Sequence, residues 1–190
     1  MTEQLFSKKV TFVLGGARSG KSYFAQKLAR KLGKKVLFVA TAEPLDKEMQ
    51  ARIEEHKKLR PSYWRTLEIA SGIAGEIETQ SGDAEVVVVD CLTLLVSNIV
   101  TKNSDYNQAE KRVIAEINEL INCLDRLNAS FIIVSNEVGL GIVPENELAR
   151  FYRDLLGKVN QLISQKADEV YFMVAGIPLK IKGEPSPTKS

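Results

Sequence analysis

Residues 10–32 read VTFVLGGARSGKSYFAQKLARKL, an apolar stretch followed directly by a glycine-rich turn and a helical pattern. Residues 10–14 are β-branched and aromatic, which predicts a buried strand. Residues 21–32 predict a helix that ends at Gly33. Between them, residues 15–22 (GGARSGKS) match the pattern G-x-x-x-x-G-K-[ST] in full. The stretch therefore predicts a strand, a phosphate-binding loop and a helix in succession.

The residue types of this loop suit a bound phosphate. Glycines let the backbone curl so that successive N–H groups point at an anion. Lys21 adds a positive charge for the β- and γ-phosphates, and the Ser22 hydroxyl can coordinate Mg²⁺. The helix that follows directs its positive N-terminal end at the same phosphates. A glycine-rich turn without a ligand is the alternative, but a strand before the loop and a helix after it favour phosphate binding.

The rest of the chain repeats the alternation of strand and helix. Four consecutive valines, residues 86–89, form a strand that is apolar on both faces, which is typical of a parallel sheet. The pattern predicts an α/β fold with a mostly parallel central sheet and helices on both of its faces. We expect one catalytic domain over residues 1–182 and a loose C-terminal tail over residues 183–190. The further predicted strands are residues 36–40, 64–70, 131–134 and 170–175, and the further predicted helices are residues 45–58, 107–127 and 145–166.

Composition limits the class of protein. The 190 residues carry 26 Lys and Arg against 24 Asp and Glu, a net charge of +2, which does not favour a protein that coats nucleic acid or a membrane surface. No apolar run approaches the roughly 20 residues that span a bilayer, and residues 1–9 do not resemble a signal peptide. Two cysteines, Cys91 and Cys123, are too few for a disulfide framework. We therefore expect a cytoplasmic protein without a membrane anchor.

Asp90 follows the four valines and ends their strand. Ligands of α/β folds bind at the carboxyl ends of the strands. A carboxylate there can hold Mg²⁺ directly or through water in a phosphoryl-transfer enzyme. The alternative is that Asp90 caps the next helix. We favour the metal role, because the buried strand carries Asp90 to the edge where ligands bind.

His56 is the only histidine of the chain, and two interpretations of it are open. Together with Leu45, Met49 and Ile53 it has helical spacing, so it could extend a buried apolar stripe. In the other interpretation it lies in a phosphate site, because four cations surround it in the sequence. These cations are Arg52, Lys57, Lys58 and Arg60. The residues alone do not decide between the two.

Four stretches together resemble a known family, the bifunctional adenosylcobinamide kinases/adenosylcobinamide-phosphate guanylyltransferases of cobalamin biosynthesis. They are residues 15–22, residues 40–42 (ATA), residues 52–68 (RIEEHKKLRPSYWRTLE) and residues 136–153 (NEVGLGIVPENELARFYR). The last continues into residues 157–161 (GKVNQ) and 175–178 (AGIP). The resemblance covers about residues 10–182. The phosphate loop is shared by many families, whereas R-I-x-x-H-x-x-x-R-P together with N-E-V-G-x-G-I-V-P is much more specific.

The resemblance implies a P-loop NTPase fold of RecA-like type and two reactions. A kinase step with ATP or GTP phosphorylates adenosylcobinamide, and a second step transfers GMP from GTP through a guanylylated His56. The phosphate loop and the end of the valine strand indicate Lys21 and Asp90 as further catalytic residues and Ser22 and Asp90 as Mg²⁺ ligands. In the family the position of Asp90 is often Glu. The resemblance also implies a homotrimer. The implied nucleotide contacts are Gly15, Gly16, Ala17, Arg18, Ser19, Gly20, Lys21, Ser22, Ala40, Thr41, Ala42, Lys57, Lys58, Leu59, Arg60, Glu68 and Asp90.

Two other functions stay open. One is a small-molecule kinase without nucleotidyl transfer, in which His56 is structural. The other is a recombinase-type ATPase that binds nucleic acid, which the near-neutral charge disfavours. The residues themselves do not indicate which nucleobase is preferred, because an Asn-Lys-x-Asp guanine loop is absent from the sequence.

The loop of residues 136–144 is a second candidate for substrate contact. Asn136 and Glu137 follow a predicted strand, so they should face the same sheet edge as Asp90. Gly139 and Gly141 suit a turn with close backbone approach to another group. A simple strand-to-helix turn with Pro144 at the helix start is an equal alternative. A contact with the corrinoid or with another subunit is the hypothesis for this loop.

Overall fold

The computed structural model describes residues 8–44, 46–58 and 60–183. Within them the chain forms seven strands and six helices. The strands are β1 Val10–Gly15, β2 Val36–Ala40, β3 Arg65–Glu68, β4 Val86–Asp90, β5 Ser130–Val134, β6 Glu169–Val174 and β7 Ile177–Lys182. The helices are α1 Lys21–Leu32, α2 Lys47–Lys58, α3 Ile73–Gln80, α4 Leu92–Thr101, α5 Tyr106–Arg126 and α6 Glu147–Lys166.

All seven strands form one sheet in the order β3-β2-β4-β5-β1-β6-β7. Every neighbouring pair is parallel except β6 and β7, which are antiparallel. The carboxyl ends of the parallel strands therefore meet at one edge, where the phosphate loop leaves β1. β5 lies between β1 and β4, and its Val134 pairs with Asp90 on one side and Val13 on the other. The expected α/β fold with a mostly parallel central sheet is confirmed.

Alternating side chains of the central strands enter two cores, one on each face of the sheet. On one face Val87 and Val89 pack with apolar residues of α3, α4, α5 and α6. On the other face Val86 and Val88 pack with Ala25 and Ala29 of α1. The four valines are fully buried. This two-sided burial is the reason that the strand is apolar throughout instead of alternating.

Three elements were not predicted, and each has a physical reason. The sequence of α4, LTLLVSNIVT, is apolar on almost every side because the helix is buried, so it lacks an amphipathic period. α3 has only eight residues and weak periodicity. β7 follows β6 through the two-residue turn Ala175-Gly176, both with positive φ, which forms a hairpin at the sheet edge. Pro178 is tolerated there because β7 has no neighbour on its outer side.

Two predicted helix starts each lie two residues before the start in the structure. The last long helix, predicted to begin at residue 145, begins at Glu147 with Asn146 as its N-cap, so Pro144 does not start it as the alternative interpretation of this loop held. Asn146 takes this role because its side chain accepts a hydrogen bond from the Ala149 amide. The helix predicted to begin at Leu45 begins at Lys47, and Leu45 itself lies outside the described residues. Of the predicted tail, only Gly183 is described.

Across the described ranges, the helices are all too short or too polar to cross a membrane.

Candidate functional site

The phosphate loop connects β1 to α1 and is shaped by close backbone packing. A Cβ on Gly15 would lie 2.6 Å from the Met173 carbonyl oxygen, so a larger residue would collide with β6. Gly20, the N-cap of α1, has a φ of 93°, which L side chains rarely adopt. The Lys21 ammonium donates hydrogen bonds to the Gly16 carbonyl, at 2.5 Å, and to the Ser19 hydroxyl, at 3.4 Å. The loop thus curls back over its own lysine, as a phosphate cradle requires.

A cavity of about 660 Å³ opens over this loop. Its wall is formed by the loop, the carboxyl ends of β2, β4 and β5, one side of α1 and one side of α2. The residues that the sequence analysis singled out and that line it are Ala17, Arg18, Ser19, Gly20, Lys21, Ser22, Ala40, Ala42, His56, Arg60, Glu68, Asp90 and Asn136. Residues that are far apart in the sequence therefore share one site.

Asp90 and Ser22 both line the cavity, and the Ser22 side chain lies close enough to the Asp90 carboxyl to affect its pKa. Burial raises the pKa of Asp90, and Ser22 together with the nearby His56, Arg60 and Lys21 opposes the rise. Burial lowers the pKa of Lys21, and Cys91 and Asp90 oppose that shift. The predicted alternative of Asp90 as a helix cap is wrong, since the N-cap of α4 is Cys91.

His56 projects from α2 into the cavity. Its side chain is exposed, and the half-buried Met49 and Ile53 of the same helix face line the cavity beside it. The apolar stripe of α2 thus faces the cavity and not the protein core. The interpretation of His56 as the end of a buried stripe is therefore wrong.

The cations around His56 are arranged unequally. Lys57 forms ion pairs with Glu68 at 2.8 Å and Glu54 at 3.7 Å, and neither Lys57 nor Lys58 lines the cavity. Arg60 lines the cavity, and its guanidinium carbon lies 4.0 Å from the centroid of the Phe38 ring. Leu59 and the side chain of Arg52 lie outside the described part of the chain.

The Arg60 guanidinium is held without a full set of partners. Its Nε and Nη1 are buried and have no hydrogen-bond acceptor among the described residues. Burial lowers the pKa of Arg60, while the carboxylates of Asp90 and Glu68 oppose that shift. A buried donor without an acceptor is costly, so two donors of this guanidinium are left unsatisfied by the described residues.

Some predicted contacts stabilise the site instead of lining it. The Thr41 hydroxyl donates to the Cys91 carbonyl oxygen at 2.7 Å and accepts from the Cys91 amide at 2.9 Å. It therefore joins the ends of β2 and β4. Gly15 packs closely against Met173, and the Gly16 carbonyl oxygen accepts a hydrogen bond from Lys21. Burial raises the pKa of the Cys91 thiol to about 11, which leaves it unreactive at neutral pH.

Helix α1 also contributes four side chains to the cavity that were not predicted from the sequence. Polar side chains on one face of this helix extend the cavity wall away from the loop. They follow the first of them by three, four and seven residues, and this helical spacing could have predicted that they share a face. These side chains are Tyr23, Gln26, Lys27 and Arg30.

The loop in its strand–helix setting, with Asp90 at the end of β4, defines a P-loop nucleotide-binding enzyme. A sequence model of one family, described as cobinamide kinase / cobinamide phosphate guanyltransferase, matches residues 11–181. The chain belongs to this family, so the resemblance seen in the sequence is confirmed, as is the expectation of a kinase and guanylyltransferase enzyme.

Curated relatives agree with this assignment over nearly their whole length. The chain is 42% identical over 173 residues to the bifunctional adenosylcobalamin biosynthesis protein CobP of Pseudomonas aeruginosa, which covers 91% of this chain and 97% of that protein. It is 43% and 42% identical over 178 residues to the bifunctional adenosylcobalamin biosynthesis proteins CobU of Escherichia coli and Salmonella typhimurium, covering 90% of this chain and 98% of each. Among solved structures, the RadB recombinase is similar with a TM-score of 0.48 and 19% identity, covering 86% of this chain and 73% of that one.

Proposed function

We propose that this chain phosphorylates adenosylcobinamide with ATP or GTP and then transfers GMP from GTP to adenosylcobinamide phosphate through a guanylylated His56. Family membership supports both activities. The observation that carries the histidine assignment is that the exposed imidazole lines the same cavity as Lys21 and Asp90. A nucleotide on the loop and a nucleophile on α2 can therefore meet in one site.

The kinase step uses the loop end of the cavity. The hydroxyl oxygen of the corrinoid side chain forms a bond to the γ-phosphorus, while the bond from the γ-phosphorus to the β–γ bridging oxygen breaks and the hydroxyl proton passes to solvent. The loop amides and Lys21 bind the phosphates and balance the charge that moves to the leaving diphosphate. The loop packs closely against β6 at Gly15. Catalysis of this step would come mainly from the positioning of the phosphates by the loop.

The contact between Ser22 and Asp90 fits a Mg²⁺ site. A hydroxyl and a carboxylate are oxygen ligands of the kind Mg²⁺ prefers, with phosphate oxygens and water completing the shell. In the described ranges, no group of three or more His, Cys, Asp or Glu side chains is arranged to hold a metal ion. When bound, Mg²⁺ would neutralise phosphate charge. Ser22 and Asp90 would hold it beside Lys21.

The transfer step uses the α2 side of the cavity. A ring nitrogen of His56 forms a bond to the α-phosphorus of GTP, the bond to the α–β bridging oxygen breaks, and pyrophosphate leaves. A phosphate oxygen of the phosphorylated corrinoid then attacks this phosphorus, the P–N bond breaks, and His56 is free again. Arg60 lines the same space and adds a positive charge beside His56 that suits a phosphate group.

Labelling with α-³²P-GTP tests the histidine assignment. Wild-type protein should take up acid-labile, base-stable label, as expected of a phosphoramidate. His56→Asn should abolish the label and guanylyl transfer, while the kinase step, assayed separately, keeps most of its rate because the loop is unchanged. Glu55→Gln is the matched control, since Glu55 is exposed on the same helix and does not line the cavity.

Label on folded His56→Asn protein would show that another group is the nucleophile. Loss of both activities without unfolding would refute the separation of the two steps. Unlabelled wild-type protein with kinase activity would favour the kinase without nucleotidyl transfer.

We further propose a homotrimer and a cytoplasmic location, on the family resemblance and on the cysteine usage of the sequence.

A further inference from the structure

We infer that Asn136 is a further catalytic residue of the kinase step, whose side-chain amide contacts the γ-phosphoryl group and the attacking hydroxyl. The inference rests on the proposed function. The juxtaposition that carries it is an amide at the end of β5, between the phosphate loop of β1 and Asp90 of β4.

The backbone of Asn136 is fixed from several sides. Its N–H donates to the Thr93 hydroxyl at 2.7 Å, and its carbonyl oxygen accepts from the Asn160 side chain at 3.0 Å. The neighbouring amides of Ser135 and Glu137 donate to carbonyl oxygens of β1, at 3.0 and 3.1 Å. The residue is therefore held at a defined depth in the cavity without using its own side chain.

The Asn136 side chain is left available for a ligand. It lines the cavity with Lys21 and Asp90, and its amide forms no hydrogen bond to any other residue that the structure describes. A backbone tied at both polar groups with an unpaired amide beyond it is the arrangement of a preorganised contact.

The Asn136 amide can both donate and accept, which the charged groups of the site cannot. Its NH₂ can donate to a γ-phosphoryl oxygen while its carbonyl oxygen accepts from the attacking hydroxyl, so one side chain can align both reactants. Lys21 and Arg60 can only donate, and the Asp90 carboxylate can only accept while it is ionised.

The position of Asn136 assigns it to one step. β4 lies between β2 and β5, and strands about 4.8 Å apart put the ends of β2 and β5 on the order of 10 Å from each other. β5 is the direct neighbour of β1 and its phosphate loop, whereas β4 and β5 separate β2, the strand before α2 and His56, from β1. Asn136 should therefore contribute to phosphoryl transfer and not to guanylylation of His56.

The test compares kinase and labelling kinetics in Asn136→Ala and Asn136→Ser. We expect kcat for phosphorylation of adenosylcobinamide to fall roughly 10²-fold, the usual cost of one lost transition-state donor, while KM for the nucleotide stays within about threefold. Labelling with α-³²P-GTP and thermal melting should stay close to wild type. Asn107→Ala, an exposed asparagine in the first turn of α5, is the matched control.

Thr93 is the positioning residue in this arrangement. The Thr93 hydroxyl accepts a hydrogen bond from the backbone N–H of Asn136. Thr93→Val should therefore lower the kinase kcat, whereas Thr93→Ser keeps the hydroxyl and should retain a kcat close to wild type.

Three results would overturn the inference. They are a kinase kcat within threefold of wild type in folded Asn136→Ala, a rise of KM alone, or an equal loss of kinase and labelling. Wild-type protein without kinase turnover would overturn the proposed function as well, so the two failures are distinguishable.

Discussion

Replacing Arg60 by Met should weaken nucleotide binding without weakening the ligand-free fold. Arg60 lies over the Phe38 ring with its Nε and Nη1 buried and unpaired, close to the carboxylates of Asp90 and Glu68. Met keeps most of the length and apolar contact of the side chain but removes the charge and its donors.

The magnitude follows from opposing effects. Each buried donor without an acceptor costs about 1–3 kcal/mol, so two of them cost about 2–6 kcal/mol in the ligand-free protein. The cation–π contact returns about 0.5–2 kcal/mol. The attraction to two nearby carboxylates adds on the order of 1–4 kcal/mol. The two sides nearly cancel, so Arg60→Met should change the free energy of unfolding by about 1 kcal/mol or less, which is roughly 2–4 °C in Tm.

GTP changes this balance, because phosphate oxygens supply the missing acceptors. Loss of a hydrogen bond to a charged group costs about 1.5–3 kcal/mol. This corresponds to roughly 10- to 150-fold weaker GTP binding.

Thermal melting with and without GTP, together with a GTP titration, measures both quantities. Lys111→Met, an exposed cation of α5, controls for the loss of one positive charge. Loss of several kcal/mol from the ligand-free Arg60→Met protein would show that Arg60 stabilises the fold. Unchanged GTP affinity would show that its free donors do not face phosphate. Either result would refute the reasoning.

Three further predictions follow from other parts of the molecule. Lys21→Ala should lower kinase turnover by at least about 10²-fold with unchanged melting, because the ammonium serves the phosphates; activity within a few-fold of wild type would contradict this. Burial raises the pKa of Glu169, but the hydrogen bonds from Lys180 and Lys9 outweigh it and the pKa is lowered overall. The lowered pKa means that ionised Glu169 stabilises the fold above its unfolded pKa of about 4.3, and this contribution is lost as the pH falls through the lower folded value. In urea unfolding from pH 7 to 3, the free energy of unfolding should therefore fall more steeply for wild type than for Glu169→Gln. Parallel curves would contradict the ion-pair account. Sedimentation should show an assembly larger than a monomer, and a fully active monomer would remove that proposal.

The local parts of this protein could be predicted from its sequence. Residues 10–32 place a strand, a glycine turn and a helix next to one another, and each depends only on neighbouring residues. Four consecutive valines predict a strand buried on both faces, and the structure confirms it. The helix α4 was missed for a related reason, since burial of most of its residues removes the polar face by which a helix is recognised.

The tertiary structure decided what these elements do together. The order of β2, β4, β5 and β1 depends on which strands pair over long separations, and local pattern carries little information on this. That order brings His56, Asp90 and Asn136 around one cavity although 80 residues separate the first from the last. The packing also gives two nearby cations different surroundings. Arg60 lies over the Phe38 ring, whereas Lys57 forms an ion pair with Glu68. Adjacent cations in a sequence look alike, and only the packing around each one determines which charge is left for the ligand.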